Sequence, residues 1–503
     1  MRKFLHSGII SFLIILLAQL GVIALLIFQL NEYREYILGI TSLISAVLLV
    51  YEINRPSEPA FKYAWIVLIT VLPVFGWLLY IYTHINVVTN KINKKTKVIS
   101  KQTRKYLVQS DDVLRELKNT KISGISQYLN SCADCPAYKN TSVEYFHLGE
   151  DKFEKMKYEL ENAKKFIFME YYIVDVNSSM WMEIFEILKR KVSHGVEVRF
   201  MYDAMGSIKV FPTDYIKEIE KEGIKCKIFK RVTPILETYQ NNRDHRKILV
   251  IDGHTAFTGG INIADEYINV TERFGHWKDT AVMIKGDGAV SFTVMFLQMW
   301  NLSENDTECY ENYIERKPVK AKGYVIPYCD SPIDDENVGE RVYLDIIDRA
   351  SEYVHIMTPY LVISHEMQEA LKYAVKRGVD VRIIMPHIPD KAYALWLARS
   401  YYKKLIDAGV KIYEYKHGFV HAKVTVSDGD TAVVGTINYD YRSWYLNYEC
   451  ALLMHGVPAI SEIEKDCTDT MTKSTEITLE EYKKLNIFGR LFGMVIRLFA
   501  PLM

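Results

Sequence analysis

Two stretches of this chain align without a gap, and that repeat constrains the fold more than any other feature. HRKILVIDGHTAFTGGIN, His245 to Asn262, and HAKVTVSDGDTAVVGTIN, His421 to Asn438, share His, Lys, Asp-Gly, Gly and Asn. In each copy Lys follows His by two residues, Asp by seven, Gly by fourteen and Asn by seventeen. The copies lie inside a wider duplication. NAKKFIFMEYYIVD (Asn162 to Asp175) parallels RASEYVHIMTPYLVIS (Arg349 to Ser364), and GVEVRFMYD (Gly195 to Asp203) parallels GVDVRIIMP (Gly378 to Pro386). The second pair follows helix-like stretches at Met180–Ser193 and Glu366–Arg377. Strand–helix–strand order punctuated by Gly predicts two α/β halves with mostly parallel sheets. Pro318, within ERKPVKAKG, marks the boundary between them.

The motif spacing has a chemical meaning. Asp-Gly between two β-rich runs predicts a hairpin turn. On a strand, residues i and i+2 face the same side, so His245 and Lys247 address one ligand, as do His421 and Lys423. Imidazole supplies a nucleophile or an acid and base near neutral pH. Ammonium supplies charge for a phosphoryl oxygen, and Asn262 and Asn438 add amide donors on the returning strands. This set suits phosphate-ester chemistry with no metal and no cofactor. Asp252 and Asp428, part of each motif, lie five residues beyond Lys, roughly 16 Å along an extended strand. They are expected to shape the turn rather than enter the chemistry. Each imidazole needs a carboxylate to hold its ring N–H. Glu449 stands 28 residues after His421. The same offset in the first copy is Arg273, which cannot accept a bond, so Asp279, six residues further on, is the candidate there.

The amino-terminal region has a different character. Gly8 to Leu30 is 23 residues without a charge, and Tyr63 to Thr83 is another 21. The first would span roughly 35 Å as a helix, enough for a bilayer core. Trp65, Trp77, Tyr80 and Tyr82 lie near the ends of the second, as in an interfacial belt. Pro73 and Gly76 predict a kink within it. Ile37 to Tyr51 is apolar for only 15 residues and either spans with its flanks or is re-entrant. Lys91 to Lys105 then holds seven basic residues and no acid. That asymmetry predicts a multi-pass protein of the cell membrane with its catalytic body in the cytoplasm, and the basic run suits anionic headgroups. At the other end, IFGRLFGMVIRLFAPLM (Ile487 to Met503) predicts an amphipathic helix, either in the membrane interface or packed on the core. The expected domains are therefore an anchor (1–85), a basic linker (86–140), two halves (141–317 and 318–486) and a tail (487–503).

The paired H-x-K-x4-D motifs, each with G-G/T-x-N downstream, resemble those of the phospholipase D superfamily. PAFKYAWIVLITVLPVFGWLLY, NRDHRKILVIDG, GFVHAKVTVSDG and VGTINYDYRSWYLNYE make the chain similar to bacterial cardiolipin synthases over nearly its whole length. The resemblance implies an α/β fold in which transmembrane helices precede two repeated phospholipase D-like halves sharing one active site. It implies phosphatidyl transfer from one phosphatidylglycerol to another, giving cardiolipin and glycerol, with His245 as nucleophile and His421 as acid and base. The alternative is a membrane phospholipase D that hydrolyses or exchanges headgroups at the same site. Asp244 stands where such sequences often have Asn.

Composition excludes other classes. The 62 Lys and Arg cancel the 62 Asp and Glu, which with an anchor argues against a nucleic-acid partner. Seven cysteines in 503 residues make no disulfide scaffold. Cys132-Ala-Asp-Cys135 is a single CxxC with no second pair at metal spacing.

Overall fold

In a computed structural model, the described residues are 14, 16–21, 24, 33–56, 58–84, 87–229, 241–302, 308–334 and 336–502. The chain groups into two compact units, residues 1–92 with 231–242 and 494–503, and residues 93–230 with 243–493.

In the first unit, most of the apolar run Gly8–Leu30 lies outside the described residues. The helix Arg34–Asn54 contains the run Ile37–Tyr51. Among the described residues it is the one helix long and apolar enough to cross a membrane. The stretch Tyr63–Thr83, expected as one kinked span, is instead two helices, Pro59–Val71 and Pro73–His84. Pro73 ends the first helix because the residue before proline is driven out of the helical region, and Leu72 has ψ 73°. The two helices fold back on each other. Trp65 meets Tyr80 edge-on at 5.2 Å, and a Cβ on Gly76 would stand 2.7 Å from the Ile69 Cα. Helices of 13 and 12 residues reach only about 20 Å each, short of a bilayer core.

The second unit holds two large sheets and two short two-stranded pairs. The first half contributes β1 (Thr141–Phe146), β2 (Phe166–Tyr171), β3 (Glu197–Asp203), β4 (Lys225–Phe229), β5 (Ile248–Ile251), β6 (Thr255–Gly259) and β7 (Ala281–Gly286). Their order is β1-β7-β6-β5-β2-β3-β4. The second half contributes β8 (Tyr324–Asp330), β9 (Tyr353–Met357), β10 (Asp380–Pro386), β11 (Lys411–Tyr415), β12 (Val424–Ser427), β13 (Thr431–Gly435), β14 (Asn447–His455) and β15 (Ser474–Glu476). Their order is β8-β14-β13-β12-β9-β10-β11-β15.

Both sheets are mixed, not mostly parallel as expected. Within them, β2-β3-β4 and β9-β10-β11 pair parallel, as does the two-residue strand Arg243–Asp244 with the start of β14. In the two triplets a helix, Ser179–Ser193 or His365–Lys376, crosses between strands, its start capped by Ser178 or Ser364. The motif strands are hairpins, and hairpins pair antiparallel. β5 turns into β6 with Ile251 opposite Thr255, and β12 into β13 with Ser427 opposite Thr431. In both turns the Asp is left-handed, Asp252 at φ 52° and Asp428 at φ 53°, a conformation Asp tolerates better than most residues.

Alternation along these strands serves two cores. Ile248 and Val250 of β5 join Val424 and Val426 of β12 in a core shared by the halves. Leu249 and Ile251 face the helices of the first half.

Candidate active site

Each motif His is set by a short parallel pairing between halves. Arg243–Asp244 runs beside Asn447–Tyr448 at the start of β14, and the His245 N–H donates to the Tyr448 carbonyl at 3.0 Å. Gly418–Val420 runs beside His276–Lys278, and the His421 N–H donates to the Lys278 carbonyl at 2.7 Å. The next residues along these partner strands are Glu449 and Asp279. The carboxylates are therefore exchanged: His245 Nδ1 lies 2.9 and 3.0 Å from the Glu449 oxygens, and His421 Nδ1 lies 2.6 Å from Asp279 Oδ2. Each histidine is held by the half that does not carry it. An acceptor at Nδ1 fixes the N–H there and leaves Nε2 for chemistry.

The two carboxylates are seated differently. Glu449 accepts from the Thr436 hydroxyl and, at 3.1 Å, from the Asn447 amide. Asp279 accepts from the Thr280 N–H at 2.8 Å. The residue matching Thr436 is Gly260, where a Cβ would stand 2.0 Å from Asp279 Oδ1. The carboxylate of Asp279 fills the space of that missing side chain.

Lys247 and Lys423 are buried, and each ammonium donates to the carbonyl of its own motif His. Aromatic rings wall the imidazoles: Tyr172 at 5.0 Å from His245, and Tyr267 and Trp277 at 5.5 and 5.4 Å from His421. Asn262 has both ends of its amide engaged, donating to the Tyr267 hydroxyl at 2.7 Å and accepting from the Ile173 N–H at 3.0 Å. Asn438 is buried, and its Oδ1 has no hydrogen-bond partner among the described residues. Asp252 and Asp428 sit outside this group. Asp252 accepts from the N–H groups of Lys164, Lys165 and Phe166 at 2.7–3.0 Å. Asp428 accepts from those of Ser351, Glu352 and Tyr353 at 2.9–3.1 Å. Each ties its hairpin to the start of β2 or β9.

Asn at either aspartate keeps the turn conformation but loses the charge on these bonds. Asp252→Asn and Asp428→Asn are expected to destabilise the fold by about 2 kcal/mol each while leaving kcat of the folded protein within a few-fold. Thermal melts beside turnover of the well-folded fraction check this; a stable but inactive Asp→Asn protein contradicts it.

Burial governs the charges. It pushes His245 down to about 4 against the pull of Glu449, with Lys247 adding to the fall. It pushes His421 down to about 3, with Lys423 adding to the fall. It also lowers Lys247 to about 8 and Lys423 to about 7. Burial opposes ionisation of both carboxylates, yet the histidine that each one holds and the lysine beside it prevail, and both are held below their ordinary values. The site thus sets neutral imidazoles against ionised carboxylates. Between about pH 4 and 6.5 the unfolded chain binds protons that the folded one refuses. Stability from these groups is complete above about pH 6.5 and is lost as pH falls toward the folded values. The unfolding midpoint is expected to drop between pH 7 and pH 5, and the drop should shrink in His421→Gln. Identical pH slopes for the two proteins would sink this account.

A buried ion cluster escaped the sequence reading. Arg246, between His245 and Lys247, points away from them and pairs with Glu170 at 2.5 Å and Asp244 at 3.2 Å. Its one sequence signal is Glu170, a carboxylate amid the apolar run of β2. Tyr172 and Tyr267 had no signal beyond the general abundance of tyrosine.

Comparisons with known proteins identify relatives of this chain. A family model described as cardiolipin synthase, PLD-like domain, matches residues 156–300 and 343–470, and one described as phospholipase D-nuclease N-terminal matches 38–82. An uncharacterized protein of Streptococcus mutans is 47% identical over 458 residues, 90% of this chain and 99% of that protein. Cardiolipin synthase 2 of Bacillus anthracis is 34% identical over 454 residues, 89% of this chain and 87% of that protein. Among solved structures, phosphatidylserine synthase from Haemophilus influenzae has TM-score 0.55 at 16% identity, covering 76% of this chain and 98% of that one. That likeness concerns the fold alone. The first family model spans both halves, including His245 with Asp279 and His421 with Glu449. The chain belongs to the cardiolipin synthase family of the phospholipase D superfamily.

Proposed function

We propose that this protein joins two phosphatidylglycerol molecules into cardiolipin, releasing glycerol, by way of a phosphatidyl-histidine. The observation that carries the reading is the crossed pair: two imidazoles, each held at Nδ1 by a carboxylate of the opposite half, with no hydrogen bond at either Nε2 among the described residues. In the first step His245 Nε2 attacks phosphorus and the bond from phosphorus to the headgroup glycerol breaks. His421 Nε2–H gives its proton to the departing oxygen. In the second step neutral His421 takes the proton of the incoming lipid's hydroxyl. That oxygen attacks phosphorus, and the phosphorus–nitrogen bond breaks to restore His245. His421 takes its starting proton from solvent as the substrate binds, because the phosphodiester charge offsets the burial and the lysine repulsion that otherwise keep the imidazole neutral.

Lys247 and Lys423 swing from their own His carbonyls to the phosphoryl oxygens, and Asn438 adds an amide donor. Asn262 acts at one remove, holding the Tyr267 ring beside His421. In this reading the reaction uses neither cofactor nor metal, since the two lysines and the Asn438 amide supply the donors to the phosphoryl oxygens.

The helix Arg34–Asn54 and the family's lipid chemistry support membrane association. The basic run from Lys91 to Lys105 favours the cytoplasmic side for the chain beyond it, with residues 1–85 as a multi-pass anchor and 141–317 and 318–486 as the two halves. The C-terminal helix Ile487–Ile496 adds an apolar face of its own. Gly489 and Gly493 seat it on Trp396, while Phe488 is 78% exposed and Leu491 54% exposed.

The test is the full-length protein in vesicles of labelled phosphatidylglycerol, with and without a chelator. Cardiolipin and glycerol in equal amounts are expected, unchanged by the chelator. Phosphatidic acid as the main product would make the protein a hydrolase instead. Activity lost to the chelator and restored only by one metal would remove the metal-free mechanism.

A further inference from the structure

A cavity of about 440 Å³ lies on the side of the motif strand away from the histidines. Arg246 lines it, whereas His245 and Lys247, its neighbours on an extended segment, do not. It is therefore separate from the catalytic pair. Its volume is within the range of small-molecule sites.

The walls have two characters. Met295 and Met299 of the helix Ala289–Asn301, with Ile99, Ile333 and Val338, make an apolar interior. Methionine adapts its shape to flexible apolar ligands. At the rim stand Lys97 and Lys101, exposed residues of the helix Val87–Thr103 that form no ion pair among the described residues. The nearby acids are partly neutralised. Asp134 pairs with Arg104 at 2.7 Å. Asp330 accepts from the Ser331 and Gly339 N–H groups, and burial pushes its carboxyl well up. Asp334 also lines the rim. Lys97 follows His84, the last residue of the apolar helix Pro73–His84, by only thirteen residues of chain. An apolar interior beneath unpaired lysines, on the segment that leaves the apolar region, fits one ligand class.

We propose that this cavity is a second lipid site, taking one acyl chain of an anionic phospholipid with the phosphate at Lys97 and Lys101. It goes beyond the transfer reaction and does not depend on it.

The cavity carries its own reporter. Cys132 lines it and is exposed, while Cys309 is exposed and does not line it. The experiment measures maleimide labelling of both thiols, by peptide mass spectrometry, in the full-length protein in non-ionic detergent. The probe is oleoyl lysophosphatidic acid. Its two parts serve as controls, glycerol 3-phosphate without a chain and oleyl alcohol without a phosphate.

Saturating lysophosphatidic acid is expected to slow labelling of Cys132 about fivefold or more relative to Cys309, with neither control doing so. In Lys97→Gln/Lys101→Gln, the concentration for half protection should rise about tenfold. Protection by glycerol 3-phosphate alone would make this a phosphate site, and equal protection by the alcohol an unspecific apolar sink. Either result overturns the proposal, as does unaltered labelling or an unaltered half-protection concentration in the double variant.

Discussion

Replacing His421 with alanine is expected to lower cardiolipin formation by about 10²–10⁴-fold, the range for removing a positioned general acid and base. In the two-step mechanism the loss falls on both steps. The first needs a proton delivered to the leaving glycerol, and the second needs one removed from the incoming hydroxyl. A lipid whose headgroup leaves as a stable anion escapes the first demand but not the second. With such a lipid His421→Ala should take up label and fail to pass it on, leaving a phosphatidyl group on His245. The label is read by acid-lability and peptide mapping. His245→Ala should lose turnover to a similar degree with no trapped label. Label on Lys247, or on any residue other than the two motif histidines, would falsify the covalent path. Label on His421 in the unaltered protein would exchange the two roles and leave the chemistry standing.

Glu449→Gln should cost about 10³-fold in kcat while the protein still folds. Glutamine keeps the shape, and its oxygen can still accept from the Thr436 hydroxyl. It cannot balance an imidazolium, and its amide end can face the His245 ring with a donor. Either defect turns the ring toward the wrong tautomer or orientation, the cause of losses near 10⁴-fold when a triad carboxylate becomes an amide. The discriminating measurement is kcat beside a melt. A large fall in kcat with an intact melt is expected, whereas parallel losses of both would make Glu449 a structural residue only. Because Glu449 belongs to the second half and His245 to the first, the result also tests whether the exchange between halves operates in turnover.

That exchange was not legible in the sequence, and the reason is physical. Spacing along a strand decides which side chains share a face, so the His–Lys pairs and the Asp-Gly hairpins could be read from i, i+2 and a turn signal. Which strands lie together across the two halves depends on packing at long range. Glu449 and Asp279 could be picked as carboxylates, but not assigned to the histidines of the opposite copy. The same limit explains the sheets. Two strand–helix–strand units per chain suggested parallel pairing, and they do pair so at β2-β3-β4 and β9-β10-β11. The hairpins and the edge strands β1, β8 and β15 pair antiparallel. Pro73 was read as a kink; the close approach of Gly76 to Ile69, which turns a kink into a hairpin, involves contacts that periodicity does not encode. Arg246 alternates out of the active site, so a motif read as His and Lys passes over it.

The unlike seating of the two carboxylates has a historical consequence. A duplicated gene starts with interchangeable copies, and drift at any one position is free while its neighbours tolerate it. Here a short acid opposite a bare backbone, Asp279 with Gly260, faces a longer acid braced by a hydroxyl, Glu449 with Thr436. The glycine cannot change alone: a side chain at residue 260 collides with Asp279. Lineages can cross between the two arrangements only by paired substitution, so once the copies had diverged here, recombination between the halves would yield mismatched sites. The two copies of one ancestral unit have become specialised parts, each indispensable to the histidine it does not own.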